Sequence, residues 1–311
     1  MNWNLFLTEL VSGITHGSVY ALIALGYSMV YGILKLLNFA HGDIFMVGAF
    51  IGYGVLTVFG GAASISIPIV LLLTLMFVSA MLGGGLLGIV IERFAYRRLR
   101  EAPRIAPLIT ALGVSFFLEY SALLLLGAEY QSFDTFSWRN GALWTNGFTL
   151  PAGVHVAVAQ IIVVVGAVVL MGALTYFVAR TQLGRAMRAV SFDRQAAEMM
   201  GIDVNRVIAA TFFIGSALAG AAGIFNCLVY QQVWYFMGFN AGLKAFTAAV
   251  VGGIGSMPGA VVGGLVIGLA EAFSTGYISS TFQDAIVFVI LIAVMILRPS
   301  GLFGRAEAKK V

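Results

Sequence analysis

Glu119 and Glu271 are the two side chains whose setting in this sequence most needs explaining. Glu119 lies in the middle of the apolar run Ala106 to Gly127, and Glu271 near the end of the run Ala260 to Phe273. An ionisable group inside a segment of hydrocarbon length is costly, so it either finds a partner within the protein or serves a route for substrate, ion or proton. The sequence leaves both readings open for these two carboxyls. His16 and Asp284 fall toward the ends of their runs, where headgroups or water account for them. Such groups are few here, so an ion-coupled secondary transporter or channel for small polar solutes stands only as an alternative function.

Two phrases place polar or conformationally free residues in apolar surroundings. Leu37 to Asp43 (LNFAHGD) contains Asn38, His41 and Asp43, and Gly252 to Gly259 (GGIGSMPG) separates two apolar pieces. A helix broken within a bilayer presents unpaired amides or carbonyls, which suit the two charges of a zwitterion. On that basis Asn38, His41, Asp43, Gly253, Gly255 and Ser256 are candidate pathway-lining residues. A helix bend with glycine packing is the other reading of the same residues.

Enzymatic chemistry has little to stand on. No G-x-x-x-x-G-K-[ST] phosphate loop occurs, so this chain is not expected to hydrolyse nucleotides itself. There is no H-E-x-x-H or paired C-x-x-C, the histidines His16, His41 and His155 are far apart, and Cys227 is the one cysteine. No disulfide within the chain, metal site or cofactor is expected.

The segment Asp193 to Val207 (DRQAAEMMGIDVNRV) is dense in charge, although only 10% of the chain is charged. At helical spacing Ala196, Met199 and Met200 line one side of Gln195 to Met200, Asp193, Arg194 and Glu198 are polar neighbours, and Gly201 follows as a stop. A short amphipathic helix of this kind either lies on lipid headgroups or docks in a groove of a soluble partner, where adaptable methionines are suited.

The elements that must carry these residues are membrane helices. Of 311 residues 60% are hydrophobic, mean hydropathy is +1.00, and 17 basic with 13 acidic residues cannot coat a soluble protein of this size. The fold class expected is an all-α integral membrane protein, a multi-span helical bundle of about eight segments, because a spanning backbone must satisfy its polar groups internally. Six runs serve before residue 231: Val11 to Leu34, Ile44 to Phe59, Ile67 to Ile91, Ala106 to Gly127, Val156 to Ala179 and Val207 to Tyr230. The second is short, and with its neighbour Leu37 to Asp43 it suggests a broken or re-entrant element. The two pieces around Gly252 to Gly259 each look too short to span comfortably, so they form two tilted crossings or one re-entrant hairpin. Tyr277 to Leu297 is the last span. The first ten residues carry no basic side chain, which argues for a retained span rather than a cleaved signal.

Basic residues set the expected orientation. Glu92 to Arg104, Arg180 to Arg206 and the tail after Leu297, with Arg298, Arg305, Lys309 and Lys310, hold 14 of the 17. The segment Ala128 to His155 has only Arg139, with Trp138 and Trp144 suited to an interface. The arginine-rich loops and the C-terminus are therefore expected in the cytoplasm and the N-terminus outside, which requires seven or nine crossings. This bias also accounts for the basic isoelectric point, and no nucleic-acid partner is implied. Glycines four apart recur at Gly13 and Gly17, Gly48 and Gly52, Gly84 and Gly88, and from Gly255 to Gly268. They point to close helix packing within the chain, with a dimer interface or moving gate as the alternative.

Four phrases resemble the permease subunits of branched-chain amino acid ABC importers, the H-type subunit of the Liv systems. They are GSVYALIALGYSMVYG at 17–32, LNFAHGD at 37–43, AAEMMGI at 196–202 and KAFTAAVVGGIGSMPGA at 244–260. The resemblance covers essentially the whole length, a single transmembrane permease domain over 1–311. It implies a bacterial-type inner membrane location, a second permease subunit that is a different chain, two cytoplasmic ATPases and an extracytoplasmic binding protein. It also implies that the cytoplasmic loop 180–206 holds an EAA-like coupling helix, with Gln195, Ala196, Ala197, Glu198 and Gly201 as its ATPase-coupling residues. The pattern departs from the fuller EAA form, since Gln195 stands where a glutamate would begin it and Glu198 follows.

Overall fold

The computed structural model describes residues 3–60, 68–100, 102–103, 105–133, 146–149 and 153–304. Trp138, Trp144, Arg139, Arg104, Arg305, Lys309 and Lys310, which entered the orientation argument, lie outside these residues.

Helix α1 (Trp3–Leu34) and α2 (His41–Gly60) are followed by α3 (Ile69–Ile91), which continues through a π-helical turn Glu92–Tyr96 and a 3-10 turn Arg97–Leu99. Then come α4 (Ile105–Leu126), α5 (Val158–Arg180), α6 (Gln182–Phe192), α7 (Arg194–Met199), α8 (Val204–Tyr230), α9 (Met237–Gly252), α10 (Met257–Tyr277) and α11 (Gln283–Leu297). Eight are long and apolar enough to cross a membrane; α6, α7 and α9 are not among them. Short antiparallel strand pairs join β1 (Gln131–Ser132) to β4 (Gln232–Val233) and β2 (Gly147–Thr149) to β3 (His155–Ala157).

Glycine faces bring the backbones together, as lipid-embedded helices require. Gly13 and Gly17 of α1 sit against Leu269 and Leu265 of α10, and Gly264 of α10 against Ala21, so the two helices run antiparallel. Gly84 and Gly88 of α3 meet Ser216 of α8, while Gly48 of α2 meets Gly220. A β-carbon at Gly17 would stand 2.9 Å from the Leu265 Cα, and at Gly48 2.4 Å from the Gly220 Cα, so no side chain fits at either crossing. All of these glycine faces are used within the chain. Helices α1 and α8 are largely enclosed and form the centre, while α4 and α11 are largely exposed at the rim.

The first expected break is present. After α1 the chain turns at Lys35, which adopts φ 57°, and stays non-helical through Ala40. It then turns back along α1, because the His41 ring lies against Gly26. Eight residues separate Gly26 from Leu34, so the first side chain of α2 reaches a level about 12 Å short of the end of α1, at 1.5 Å per helical residue. The second break corrects an expectation. Helix α9 has 16 residues, but α10 has 21 and is a full-length span. It continues past Phe273 to Tyr277 because Glu271 has internal partners, so the carboxyl does not end the membrane segment.

Helix α9 runs antiparallel to α10, with Gly252 against Gly259 and Ala248 against Gly263. Leu302 and Phe303 then donate backbone hydrogen bonds to the carbonyls of Val251 and Gly252, at 2.9 Å each, and Gly304 meets Gly253. The C-terminal segment therefore lies beside the end of α1, where Gly32 faces Gly255, and opposite the Trp3 end.

Candidate functional site

The loop between α5 and α8 holds two short helices, and these and α8 are each capped. Thr181, Asp193 and Asp203 are the N-caps of α6, α7 and α8, their side-chain oxygens accepting from the amides of Gly184, Ala196 and Arg206. Such caps satisfy amides that have no partner inside the helix. Gly201, at φ +80°, ends the short α7. The helix runs from Arg194 to Met199, one residue ahead of the expected Gln195 to Met200; Ala197 packs inward, while Ala196, Met199 and Met200 are exposed. Gln195, Ala196, Glu198 and Gly201 are exposed. Met199 and Met200 are each 82% exposed and Phe192 is 95% exposed, giving an apolar knob beside the Arg194–Glu198 ion pair.

Behind this loop the end of α3 carries a buried carboxylate. Glu92 is fully enclosed and accepts from Arg97, at 3.3 and 3.1 Å, and from Arg100. Arg100 also donates to the side-chain oxygen of Asn205, in the first turn of α8, at 2.6 Å. Burial draws the Arg100 guanidinium below its ordinary arginine range, and the Glu92 carboxylate pulls it back.

The same turn reaches the broken segment. The Tyr96 hydroxyl donates to Asn38 Oδ1 at 3.0 Å and lies 3.2 Å from the Leu37 carbonyl, while its ring packs on Phe212 of α8. Asn38, His41 and Asp43 are all buried. His41 faces α1, with its ring centroid 4.8 Å from that of Tyr27. Asp43 points to α4, where Ser115 donates to its Oδ2 at 2.5 Å and the buried Glu119 stands one turn on along the same face. Asp43 Oδ1 and Glu119 Oε1 meet no donor among the described residues. The structure thus brings Glu119 together with Asp43, a pairing the separate runs gave no reason to expect.

Glu271 belongs to a different cluster. Lys244 Nζ of α9 lies 2.6 Å from Glu271 Oε1 and 2.8 Å from Asp284 Oδ1 of α11, and the Tyr20 hydroxyl of α1 donates to Glu271 Oε2 at 2.7 Å. His16 stacks on Tyr230 beside them, centroids 5.1 Å apart. Four helices therefore meet at one ion-pair network. Sequence reasoning missed Lys244 as an intramembrane charge because it opened a glycine-rich stretch of uncertain path. Its signal was present: Lys244 is the one cation outside the arginine-rich segments that stands seven residues into an apolar helix.

Gly253, Gly255 and Ser256 lie at the junction of α9 and α10. Both glycines have positive φ, +104° and +89°, and Ser256 N-caps α10 by accepting from Gly259 at 3.2 Å. The last carbonyls of α9 accept from Gly253, Leu302 and Phe303, so this break is closed by the C-terminal segment. It stands apart from Asp43 and Glu119.

A family profile described as "Branched-chain amino acid transport system / permease component" matches residues 9–295. The chain is 41% identical over 306 residues, 98% of each chain, to the high-affinity branched-chain amino acid transport system permease protein BraD of Pseudomonas aeruginosa. It is 40% identical over 309 residues, again 98% of each, to the corresponding permease protein LivH of Escherichia coli. The probable branched-chain amino acid transport permease protein LivH of Methanocaldococcus jannaschii is 27% identical over 312 residues, covering 95% of this chain and 91% of that one. No solved structure matches the chain.

Proposed function

The chain belongs to the branched-chain amino acid permease family, and from that membership we propose how it works as the membrane subunit of an ATP-driven importer for branched-chain or related amino acids. The carrying observation is identity of about two residues in five along 98% of the chain to two such permeases. The protein is a multi-pass transport subunit, not an enzyme, and ATP hydrolysis resides on separate chains of the system. Its partners are a second, different permease subunit, two cytoplasmic ATPases and an extracytoplasmic binding protein. The arginine-bearing end faces the cytoplasm, together with the C-terminus, and the Trp3 end faces outward.

Helix α7 is the coupling element. Its exposed Gln195, Ala196 and Glu198, the Met199–Met200 knob and the Gly201 turn are offered to an ATPase cleft, while Ala197 anchors the helix to the bundle. Closure of the ATPases moves α7 as a short lever, and α5 and α8 follow. Asn38, His41 and Asp43, joined by Glu119, lie along the route of the zwitterion. Gly253, Gly255 and Ser256 form its inner end, which the C-terminal segment covers.

Reconstitution tests this reading. Vesicles containing this chain, its co-encoded permease and ATPases, with ATP inside and the cognate binding protein outside, should accumulate labelled leucine, isoleucine or valine. Uptake without ATP, driven instead by an imposed ion gradient, would establish the ion-coupled alternative.

A further inference from the structure

The end of α3 touches both the buried break, through Tyr96 of its π-helical turn, and the coupling loop, through Arg100 just beyond it. We infer that Tyr96 is a positioning residue through which movement of α7 reaches the Leu37–Asp43 segment. The inference rests on the assignment of α7 as the coupling helix.

The contacts run in series. Arg100 grips Asn205 just beyond Gly201, so displacement of the α7–α8 turn pulls on its guanidinium. That guanidinium and Arg97 are both bonded to Glu92, which is enclosed and has no water to exchange for them. Glu92 opens the π-turn and Tyr96 closes it, with the amide of Arg97 donating back to the Glu92 carbonyl. Tyr96 is 1% exposed and holds Asn38 Oδ1 and the Leu37 carbonyl with one hydroxyl. Along the segment it holds, the carbonyls of Asn38 and Ala40 accept from His41 and Ile44, at 3.1 Å each, but residues 35–40 form no helix, so the position of Leu37 and Asn38 depends on outside contacts as well. Its amide nitrogen Asn38 Nδ2 meets no acceptor among the described residues, which leaves the side chain tied at its oxygen.

A π-turn suits this place. An i to i+5 turn inserts an extra residue in a helix that otherwise repeats every 3.6, and it can shift its register without unfolding the helix. Here it turns Glu92 toward the arginines and Tyr96 toward the break and the Phe212 ring of α8. Helix α3 below it is held to α8 by glycine contacts at Gly84 and Gly88, which transmit translation without slack.

The test uses the complete importer in vesicles and reads amino acid accumulated per ATP hydrolysed. Tyr96→Phe keeps the ring on Phe212 and removes only the hydroxyl, so assembly and basal ATP hydrolysis should match the parent. The transport-to-hydrolysis ratio should fall about fivefold or more, the low end of measured coupling effects. Arg100→Lys keeps the charge but loses the fork that holds Glu92 and Asn205 together, and it should lower the same ratio. Because both residues act on one route, the double variant should be no worse than the more affected single. A parental ratio in Tyr96→Phe, or fully additive losses in the double variant, would overturn the inference. Gly201→Val separates it from its premise. A low ratio in Gly201→Val with a parental ratio in Tyr96→Phe removes the Tyr96 link and leaves α7 as the coupling helix. Parental ratios in both variants remove the α7 assignment and the link with it.

Discussion

Lys244 carries a positive charge among apolar helices, and its two carboxylate partners are not equivalent. The Glu271 side chain is 4% exposed and that of Asp284 57%, so loss of the lysine strands one enclosed carboxylate and one that can turn to water or headgroups. Breaking a buried pair from one side typically costs about 3–5 kcal/mol, because the remaining charge is left without compensation. Lys244→Met should therefore lower the stability of the detergent-purified protein by that amount in thermal unfolding. Lys244→Met/Glu271→Gln should recover most of the loss, since no charge is then stranded. Asp284→Asn should cost about 1 kcal/mol or less, as exposed pairs do; a larger loss there than in Lys244→Met would mean that Asp284 is the principal partner. Asp43 is tested differently. Its carboxyl is enclosed between Ser115 and Glu119, and Asp43→Asn preserves size while adding donors to a site that already has unpaired acceptors. Normal membrane levels with uptake lowered about tenfold, the equivalent of 1.4 kcal/mol in the barrier, is the expected outcome. Parental uptake by Asp43→Asn would make the residue a packing contact and remove it from the proposed pathway.

Among the elements, the coupling loop shows which parts of the fold can be read in advance. Its helix, its glycine stop and its charge were legible because capping, helical spacing and φ > 0 are local requirements of the chain. The start of the helix lies one residue earlier than spacing alone placed it, because Asp193 caps it. Breaks in membrane helices were legible for a similar reason: Asn38, His41 and Asp43 interrupt an apolar run, and Gly253 to Ser256 cannot continue α9. Pairings between distant elements were not. Nothing in the neighbourhood of Glu119 announces Asp43, and a π-turn such as Glu92–Tyr96 has no residue pattern of its own. Helix α10 was underestimated because the apolar run was counted only to Phe273, whereas Lys244 and Tyr20 neutralise and bond Glu271 in place and the helix continues to Tyr277. Gly201 offers the clean test of an element. No atom lies within 4 Å of the position a β-carbon would take, so steric crowding is not at issue. The backbone at φ +80° is, and a branched side chain there costs about 1–2 kcal/mol locally. Gly201→Val should reduce transport-coupled ATP hydrolysis more than membrane insertion. Gly201→Asn, whose short side chain tolerates this conformation, should restore most of the coupling.

The whole molecule is an apolar helical bundle with a few buried polar clusters and different chemistry at its two ends. Among the described residues every arginine lies at one end: at the close of α3, from the last residue of α5 to the start of α8, or directly after α11. The β pairs lie at the other, where β1 follows α4 and β4 follows α8. This separation makes sidedness measurable with one label at each end. Cys227 is fully buried, so a cysteine introduced at an exposed position supplies the signal against a quiet background. Met199→Cys lies in the proposed coupling helix and Thr149→Cys in β2, both at exposed positions. A membrane-impermeant maleimide added to intact spheroplasts should modify Thr149→Cys and spare Met199→Cys. In inverted vesicles the pattern should reverse, because cytoplasmic loops collect Lys and Arg while the opposite face does not. Adding the ATPase subunits to inverted vesicles should then slow labelling of Met199→Cys, since the methionine knob is the surface they cover. Labelling of Met199→Cys from outside would invert the molecule in the membrane and place α7 beyond reach of any cytoplasmic ATPase. Unchanged labelling with the ATPases bound would keep the orientation but move their docking site away from the exposed side of α7.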